Sequence, residues 1–121
     1  MKKYFYYLFL LIFLGNCGKS SIDIPKDILS RQKMRSVLID IHLLEGKIAE
    51  SGYIYPDTAT INYVRGSKII WKKHKIDSVY FRKSFQYYTQ NPAILTQIYQ
   101  EVVDSLSLRE VKVKTKQKIN N

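Results

Sequence analysis

Apolar residues recur every three or four positions along most of the chain after residue 25, and this spacing predicts amphipathic helices. We expect the first helix to begin after the N-cap residue Ser30 and to end near Ser51-Gly52. Its main stripe comprises Met34, Val37, Leu38, Ile41, Leu44 and Ile48. Because Ile39 and Leu43 lie on the opposite side, this helix is apolar on two faces and should be central in the fold.

Two shorter patterns follow. The second helix should start at the capping pair Asp57-Thr58 and reach about His74, although Gly66-Ser67 interrupts it with poor helix formers. A third, short helix is predicted to begin at Asp77 or Ser78. The residues expected to face inward are Tyr63, Ile70, Trp71 and His74 in the second helix and Phe81, Phe85 and Tyr88 in the third.

The fourth helix is predicted to begin at Asn91-Pro92, because Asn accepts hydrogen bonds from free amides at an N-cap and Pro suits the first helical position. Its inward positions are Ile94, Leu95, Ile98, Tyr99, Val102 and Leu106. No long run alternates in the manner of a strand. We therefore predict an all-α fold, a compact four-helix bundle of three long helices and one short helix over residues 26–108.

The N-terminus differs from the rest of the chain. Met1-Lys2-Lys3 precedes an apolar run from Tyr4 to Leu14, which is the pattern of a secretory signal. As a helix this run would span about 17 Å, against about 30 Å for the hydrocarbon core of a bilayer. We expect residues 1–16 to be a cleaved signal peptide rather than a permanent span.

The chain has one cysteine, Cys17, and it stands directly after this leader. Leu14-Gly15-Asn16-Cys17 resembles the lipobox of bacterial lipoproteins, which implies that Cys17 becomes the acylated first residue of the mature protein. An ordinary cleavage that leaves a free thiol, and an uncleaved membrane segment, are the alternatives. Residues 17–25 are mostly small and polar and are predicted to be a tether.

Composition narrows the remaining possibilities. The 121 residues include 20 Lys+Arg against 10 Asp+Glu, a net charge of +10, and 45% are hydrophobic. This apolar content predicts one packed domain rather than a disordered polycation. A single thiol excludes an internal disulfide framework. The positive charge of the chain would attract nucleic acid. An exported protein rarely encounters nucleic acid, however, so we expect no nucleic-acid partner.

Four ionisable residues form the most suggestive candidate site. Asp40 and Glu45 border the apolar stripe of the first helix, His42 lies between them, and His74 comes from the second helix. A proton-transfer or ligand site is one interpretation. The other is a polar lock, in which a carboxylate that leaves water needs a cationic or hydroxyl partner. We expect no metal site, because a metal centre in a bundle usually takes matched ligands from several helices.

Ser84, Tyr87 and Tyr88 are a second candidate group, because their hydroxyls could face a ligand along the third helix. Tyrosines at this spacing more often bury their rings in the core. The chain contains no phosphate-binding glycine loop, no dinucleotide fingerprint and no nucleophile elbow, so no cofactor is expected.

Residues 109–121 form a basic tail, which we expect to be disordered and solvated. Valines and an isoleucine separate its lysines, so contact with anionic lipid headgroups is the functional alternative. The lysines are Lys112, Lys114, Lys116 and Lys118.

An ordered set of residues carries a family resemblance. The set is Pro25, Met34, Asp40-Ile41-His42-Leu43-Leu44-Glu45, Lys72-Lys73-His74, Ser84, Tyr87-Tyr88, Asn91-Pro92, Ile98-Tyr99 and Val102. Over about residues 23–108 the chain resembles the domain of unknown function 4296, a family of small Bacteroidota lipoproteins with no assigned activity. The resemblance implies a small helix former at position 46 and Gly at position 75, where this chain has Gly46 and Lys75.

Together these features predict a lipid-anchored cell-envelope protein. We expect membrane attachment through palmitate-type acylation of Cys17, at the periplasmic face and preferentially of the outer membrane. A non-enzymatic interaction or accessory role with an envelope protein partner is the leading hypothesis. The alternative is a small ligand-binding or hydrolytic module centred on Asp40, His42 and Glu45.

Overall fold

A computed structural model describes residues 23–52 and 56–119. Within these ranges the chain forms four helices: α1 (Arg31–Glu50), α2 (Pro56–His74), α3 (Ser78–Thr89) and α4 (Pro92–Ile119). The predicted all-α bundle is confirmed. None of these helices is both long enough and apolar enough to cross a bilayer. The predicted signal peptide, Cys17 and most of the predicted tether lie outside the described residues.

Helix α1 is the centre of the bundle, as its two apolar faces predicted. Val37 and Ile41 pack with Ile70 of α2 on one side. On another side, α1 contributes to the larger cluster that joins it to α3 and α4. That cluster is built on Ile28, Leu29, Met34, Leu38, Ile39, Tyr88, Ile94, Ile98 and Val102. Helices of 12 to 28 residues are held here mainly by packing, because isolated short helices are marginal in water.

Two of the predicted N-caps are found. The hydroxyl of Ser30 accepts a hydrogen bond from the Lys33 amide at 3.3 Å, and the Asp77 carboxylate accepts one from the Tyr80 amide at 2.7 Å. Asn91 behaves differently from the prediction. Its side-chain amide donates to the Tyr87 carbonyl at 2.8 Å, because the two-residue link between α3 and α4 leaves it next to the free carbonyls that end α3.

Helix α2 begins at Pro56, one residue before the predicted capping pair, because the fixed φ of proline suits the first helical turn. It ends in a Schellman turn: the Ile76 amide donates to the Trp71 carbonyl and the Lys75 amide to that of Lys72. Lys75 has φ 53°, the left-handed conformation that favours glycine. The glycine implied at this position by the family resemblance is therefore explained by backbone geometry.

Tyr63 was expected to face inward, and this prediction is wrong. Its relative exposure is 37%, whereas the buried residues of α2, Ser67, Ile70 and His74, all lie in the second half of the helix. Glu45 of α1 is close enough to add to the effect of burial in raising the pKa of the Tyr63 phenol. By contrast, Ile70 and His74 are buried as expected.

Residues 109–119, which were expected to be disordered, are helical in the structure. Helix α4 continues without a break to Ile119, although every residue from Ser107 to Ile119 is exposed. No Gly or Pro follows Pro92, and a helix that is already nucleated extends without a new nucleation cost. Lysines in the last turn also complement the negative end of the helix dipole.

At the N-terminal end of the described residues, Ile24 of the predicted tether packs against the core.

Gly66 marks the closest approach of α1 and α2. A Cβ placed at Gly66 would overlap the side-chain methyl groups of Leu44, whereas one at Gly46 meets no atom within 4 Å. Glycine therefore lets α2 lie directly on Leu44. The predicted weak point of the second helix is a packing requirement.

The two glycines should respond in opposite ways to the same substitution. Gly46→Ala should raise the free energy of unfolding by about 0.5–1 kcal/mol, because alanine is the better helix former. Gly66→Ala should leave the free energy of unfolding unchanged or lower it, because the new methyl group forces Leu44 to move. In a Leu44→Ala background, Gly66→Ala should again raise the free energy of unfolding. Urea denaturation of Gly46→Ala, Gly66→Ala, Leu44→Ala and the Leu44→Ala/Gly66→Ala double variant measures these differences. Equal gains from both glycine substitutions in the parent chain would contradict this account.

Candidate functional site

Asp40 of α1 and His74 of α2 form the most buried pair of ionisable side chains among the described residues. His74 Nε2 lies 2.7 Å from Asp40 Oδ2, and Lys73 Nζ donates to the same oxygen at 2.7 Å. The side chains of His74 and Asp40 are only 9% and 13% exposed. Two consecutive residues at the end of α2 thus converge on one carboxylate of α1, and this ties the two helices together.

The pKa of Asp40 reflects two opposed effects. Burial alone would raise it, but the hydrogen bonds and charges of Lys73 and His74 outweigh burial and hold the pKa below its usual value. The carboxylate is therefore ionised at neutral pH. A half-buried anion with two donors has the geometry that the polar-lock interpretation predicts.

His42 and Glu45 form a separate pair. His42 Nδ1 lies 2.9 Å from Glu45 Oε2, and both side chains are substantially exposed. The His42 ring lies 5.9 Å from the ring of Tyr99, on the side of α1 that faces α4. Asp40 faces α2 instead, because residues two positions apart on a helix point in nearly opposite directions. The four candidate residues are thus brought together only as two pairs.

No three His, Cys, Asp or Glu side chains gather into a group able to hold a metal ion in residues 23–52 and 56–119. A groove of about 270 Å³ between α1 and α2 is lined by Asp40, Lys47 and Lys73 together with apolar residues of both helices. His42 and Glu45 do not line it. This arrangement can hold a charge in place, but it does not direct the four candidate residues at one substrate position.

The second candidate group is used inside the protein. Ser84 Oγ accepts a hydrogen bond from the Leu29 amide at 2.9 Å, and the Tyr88 hydroxyl donates to the Leu29 carbonyl at 2.6 Å. Ser84 and Tyr88 are both completely buried. Two side chains one turn apart on α3 therefore satisfy both backbone groups of Leu29. We call this set of three residues the Leu29 clamp.

The neighbours of the clamp keep the Tyr88 phenol protonated. Burial, with a smaller contribution from Tyr87, raises the pKa of Tyr88 to about 12. The Tyr87 ring meets the Tyr88 ring edge-on at 5.4 Å and is itself half-buried. A protonated phenol can donate to the Leu29 carbonyl over the whole physiological pH range. These hydroxyls therefore serve packing and hydrogen bonding rather than a ligand.

A third polar contact was not predicted from the sequence. Glu101 of α4 accepts hydrogen bonds from Arg35 at 2.8 Å and from Arg31 at 3.3 Å, so it joins the first turns of α1 to the middle of α4. All three side chains are about 40% exposed. The spacing of Arg31 and Arg35, one helical turn apart, was the available signal, but the sequence does not identify the acidic partner 66 residues away.

The lysines of the basic tail lie on the exposed end of α4 rather than near any of these pairs. Lys114 pairs with Glu110 one turn earlier, which lowers the pKa of Glu110 through a hydrogen bond and charge attraction. Lys112, Lys116 and Lys118 are solvent-exposed. The predicted candidates among the described residues therefore fall into four places: the Asp40–His74 pair between α1 and α2, the His42–Glu45 pair on α1, the Leu29 clamp with its neighbour Tyr87, and the end of α4.

The Leu29 clamp should be a principal contributor to stability. Tyr88→Phe keeps the ring but leaves the Leu29 carbonyl buried without its donor, so we expect a loss of about 1–3 kcal/mol in the free energy of unfolding. Tyr87→Phe is the matched control, since it removes the hydroxyl of a half-buried neighbour and should cost much less. Equal losses from the two substitutions in chemical denaturation would contradict the clamp.

Asp40 should make the stability depend on acid pH. Because its pKa is lowered by folding, its contribution is present above the unfolded value of about 3.9 and is lost as the pH falls through the lower folded value. The parent chain should therefore lose stability between about pH 5 and pH 2 more steeply than the Asp40→Asn variant.

Asp27 provides the control for this measurement. Lys83 also lowers its pKa, chiefly through a hydrogen bond, but the pair is exposed and salt screens it. In high salt the difference between the parent and Asp40→Asn should persist, while that between the parent and Asp27→Asn should vanish. Loss of both differences in salt would show that Asp40 behaves as a surface charge.

Comparisons with known proteins give one match. No curated protein and no solved structure matches the chain. The family model for the domain of unknown function DUF4296 matches residues 25–112. This range includes the Leu29 clamp, the Asp40–His74 and His42–Glu45 pairs and most of α4. Because this range covers well over half of the chain, the protein belongs to the DUF4296 family.

Proposed function

We propose that this DUF4296 protein is a lipoprotein of the bacterial cell envelope that acts through contacts rather than catalysis. In this proposal residues 1–16 are removed and Cys17 is acylated, which holds the bundle at the periplasmic face of a membrane, with the outer membrane favoured. The observation that carries the proposal is the position of the only cysteine, directly after a basic start and a short apolar run. Two or three acyl chains are sufficient for stable attachment without a spanning helix.

The way the bundle uses its polar side chains supports a role in binding. Asp40 and His74 connect two helices, and Ser84 and Tyr88 hold a backbone segment. Each of these groups has a structural partner within the described residues. The alternative, a ligand-binding or hydrolytic module, requires Asp40, His42 and Glu45 to face one site, and they belong to separate pairs. The geometry therefore favours contact with another molecule over catalysis by these residues.

Exposed apolar residues of α2 provide a surface for such contact. Ile61, Val64 and Ile69 are 51%, 47% and 70% exposed, and Ile69 borders the groove between α1 and α2. Scattered apolar residues are normal on a surface, but three on one helix with Arg65 and Lys68 between them form a mixed apolar and basic face. An envelope protein with an acidic and apolar surface is the kind of partner that this face fits.

The anchor can be tested directly. The full chain, expressed in a bacterium that matures lipoproteins and grown with a clickable fatty acid, should incorporate the probe and fractionate with membranes. The Cys17→Ser variant should incorporate none, because serine offers no thiol for acylation. The mature parent protein should also lack residues 1–16 by mass spectrometry.

The control is an exposed cysteine elsewhere, such as Thr115→Cys in the Cys17→Ser background, which should not restore labelling. A parent chain that reaches the envelope with an unmodified Cys17 would overturn the anchor. Turnover of a small substrate by the purified protein, combined with no protein captured by crosslinkers placed at Ile69 in cells, would overturn the contact role. The lipid anchor and the contact role are therefore tested by different measurements.

A further inference from the structure

The last part of α4 is a helix without a bundle to support it. Residues 107–119 are all exposed and would extend about 20 Å as a helix. We call these residues the α4 extension. They hold five cationic side chains against one anionic side chain, Glu110, which gives a net charge of +4.

Three of the four apolar residues of the α4 extension lie along one side. At about 100° per residue, Leu108, Val111, Thr115 and Ile119 form a stripe, spaced by three, four and four positions. The exposures of Leu108, Val111 and Ile119 are 63%, 61% and 77%, so no described part of the protein covers them. Val113 lies on the opposite side, together with Glu110.

The cations flank this stripe on both sides. Lys112 and Lys118 lie within about 65° of its centre, one on each side, and Arg109, Lys114 and Lys116 lie within about 115°. Lysine and arginine can keep their charge at a headgroup while their alkyl stems lie along apolar surface. An apolar stripe between two rows of cations is the arrangement of helices that lie in the plane of a membrane interface.

The direction of the helices places the α4 extension at the end of the bundle where the chain enters α1. Arg31, the first residue of α1, is bonded to Glu101, and Arg35 is bonded to the same residue. His42, further along α1, is near Tyr99, which comes earlier in α4, so the two helices run antiparallel. Helix α4 therefore continues past the start of α1 for more than three turns.

We propose that the α4 extension is a second membrane contact, which lies on an anionic lipid surface with the Leu108–Ile119 stripe facing the acyl chains. This inference rests on the proposed lipid anchor. Six peptide units separate Cys17 from Asp23, so an acylated Cys17 stays within about 20 Å of the first described residue. Two contacts near one end of the bundle set its orientation, because one flexible tether alone leaves the domain free to rotate.

The test uses the full chain in vesicles and a pair of labelled positions. Thr115→Cys lies at the centre of the stripe, and Val113→Cys lies two residues away on the far side. Both residues are exposed, so a polarity-sensitive fluorophore on either one leaves the core intact. In vesicles that contain phosphatidylglycerol, a water-soluble quencher should reach the label at position 115 several-fold more slowly than the label at position 113.

Charge and apolar contacts should both contribute to this protection. The difference between the two labels should shrink severalfold in phosphatidylcholine vesicles, in high salt, and when Lys112, Lys116 and Lys118 are all replaced by Gln. Val111→Asn should reduce the protection at position 115 without changing the charge. Val113→Asn, the matched change on the far side, should leave it unaltered.

Two results would overturn the inference. Equal quenching of the two labels in anionic vesicles would show that the stripe does not meet lipid. Protection of position 115 in native envelopes but not in protein-free anionic vesicles would assign the stripe to a protein instead. If fatty-acid labelling shows that the anchor itself is absent, the same two positions are labelled in a Cys17→Ser background, because a free Cys17 would also take the fluorophore.

Discussion

The structure depends on one constraint: α1 is apolar on two faces and must bury both. A single neighbour can cover only one face of a helix, so α2 packs on one side and α3 with α4 on another. The glycine at position 66 lets α2 approach closely, and the Arg31, Arg35 and Glu101 contact holds the start of α1 to α4. The two core clusters therefore follow from the pattern of one helix.

Polar groups inside the bundle complete this arrangement. The Leu29 clamp satisfies the backbone of the segment that leads into α1, and an unsatisfied amide or carbonyl there would oppose burial. The side chains of Asp40 and His74 join α1 to the end of α2. Asp40, His74, Ser84 and Tyr88, which first suggest chemistry, thus hold segments together, and the outer surfaces of α2 and of the α4 extension are separate from them.

Those surfaces differ in character. Helix α2 presents exposed isoleucine and valine with basic neighbours, whereas the α4 extension presents a narrow apolar stripe between two rows of cations. In the proposed arrangement the acyl chain and the α4 extension meet the membrane, and α2 is left for a protein partner. A fixed orientation would keep that face in one position relative to the bilayer, so that a partner meets the same surface each time.

The sequence by itself determined the helices and the central place of α1, because caps and apolar spacing act within a few residues. Ser30 and Asp77 were recognisable as caps from residue type and position alone. It could not determine which residues 34 to 59 positions apart would meet, such as Asp40 with His74 or Leu29 with Tyr88. Those pairings depend on how the helices cross, and packing of the whole core decides that. The helical state of residues 109–119 was likewise visible only in the structure, because the end of an apolar pattern does not end a helix when no breaking residue follows.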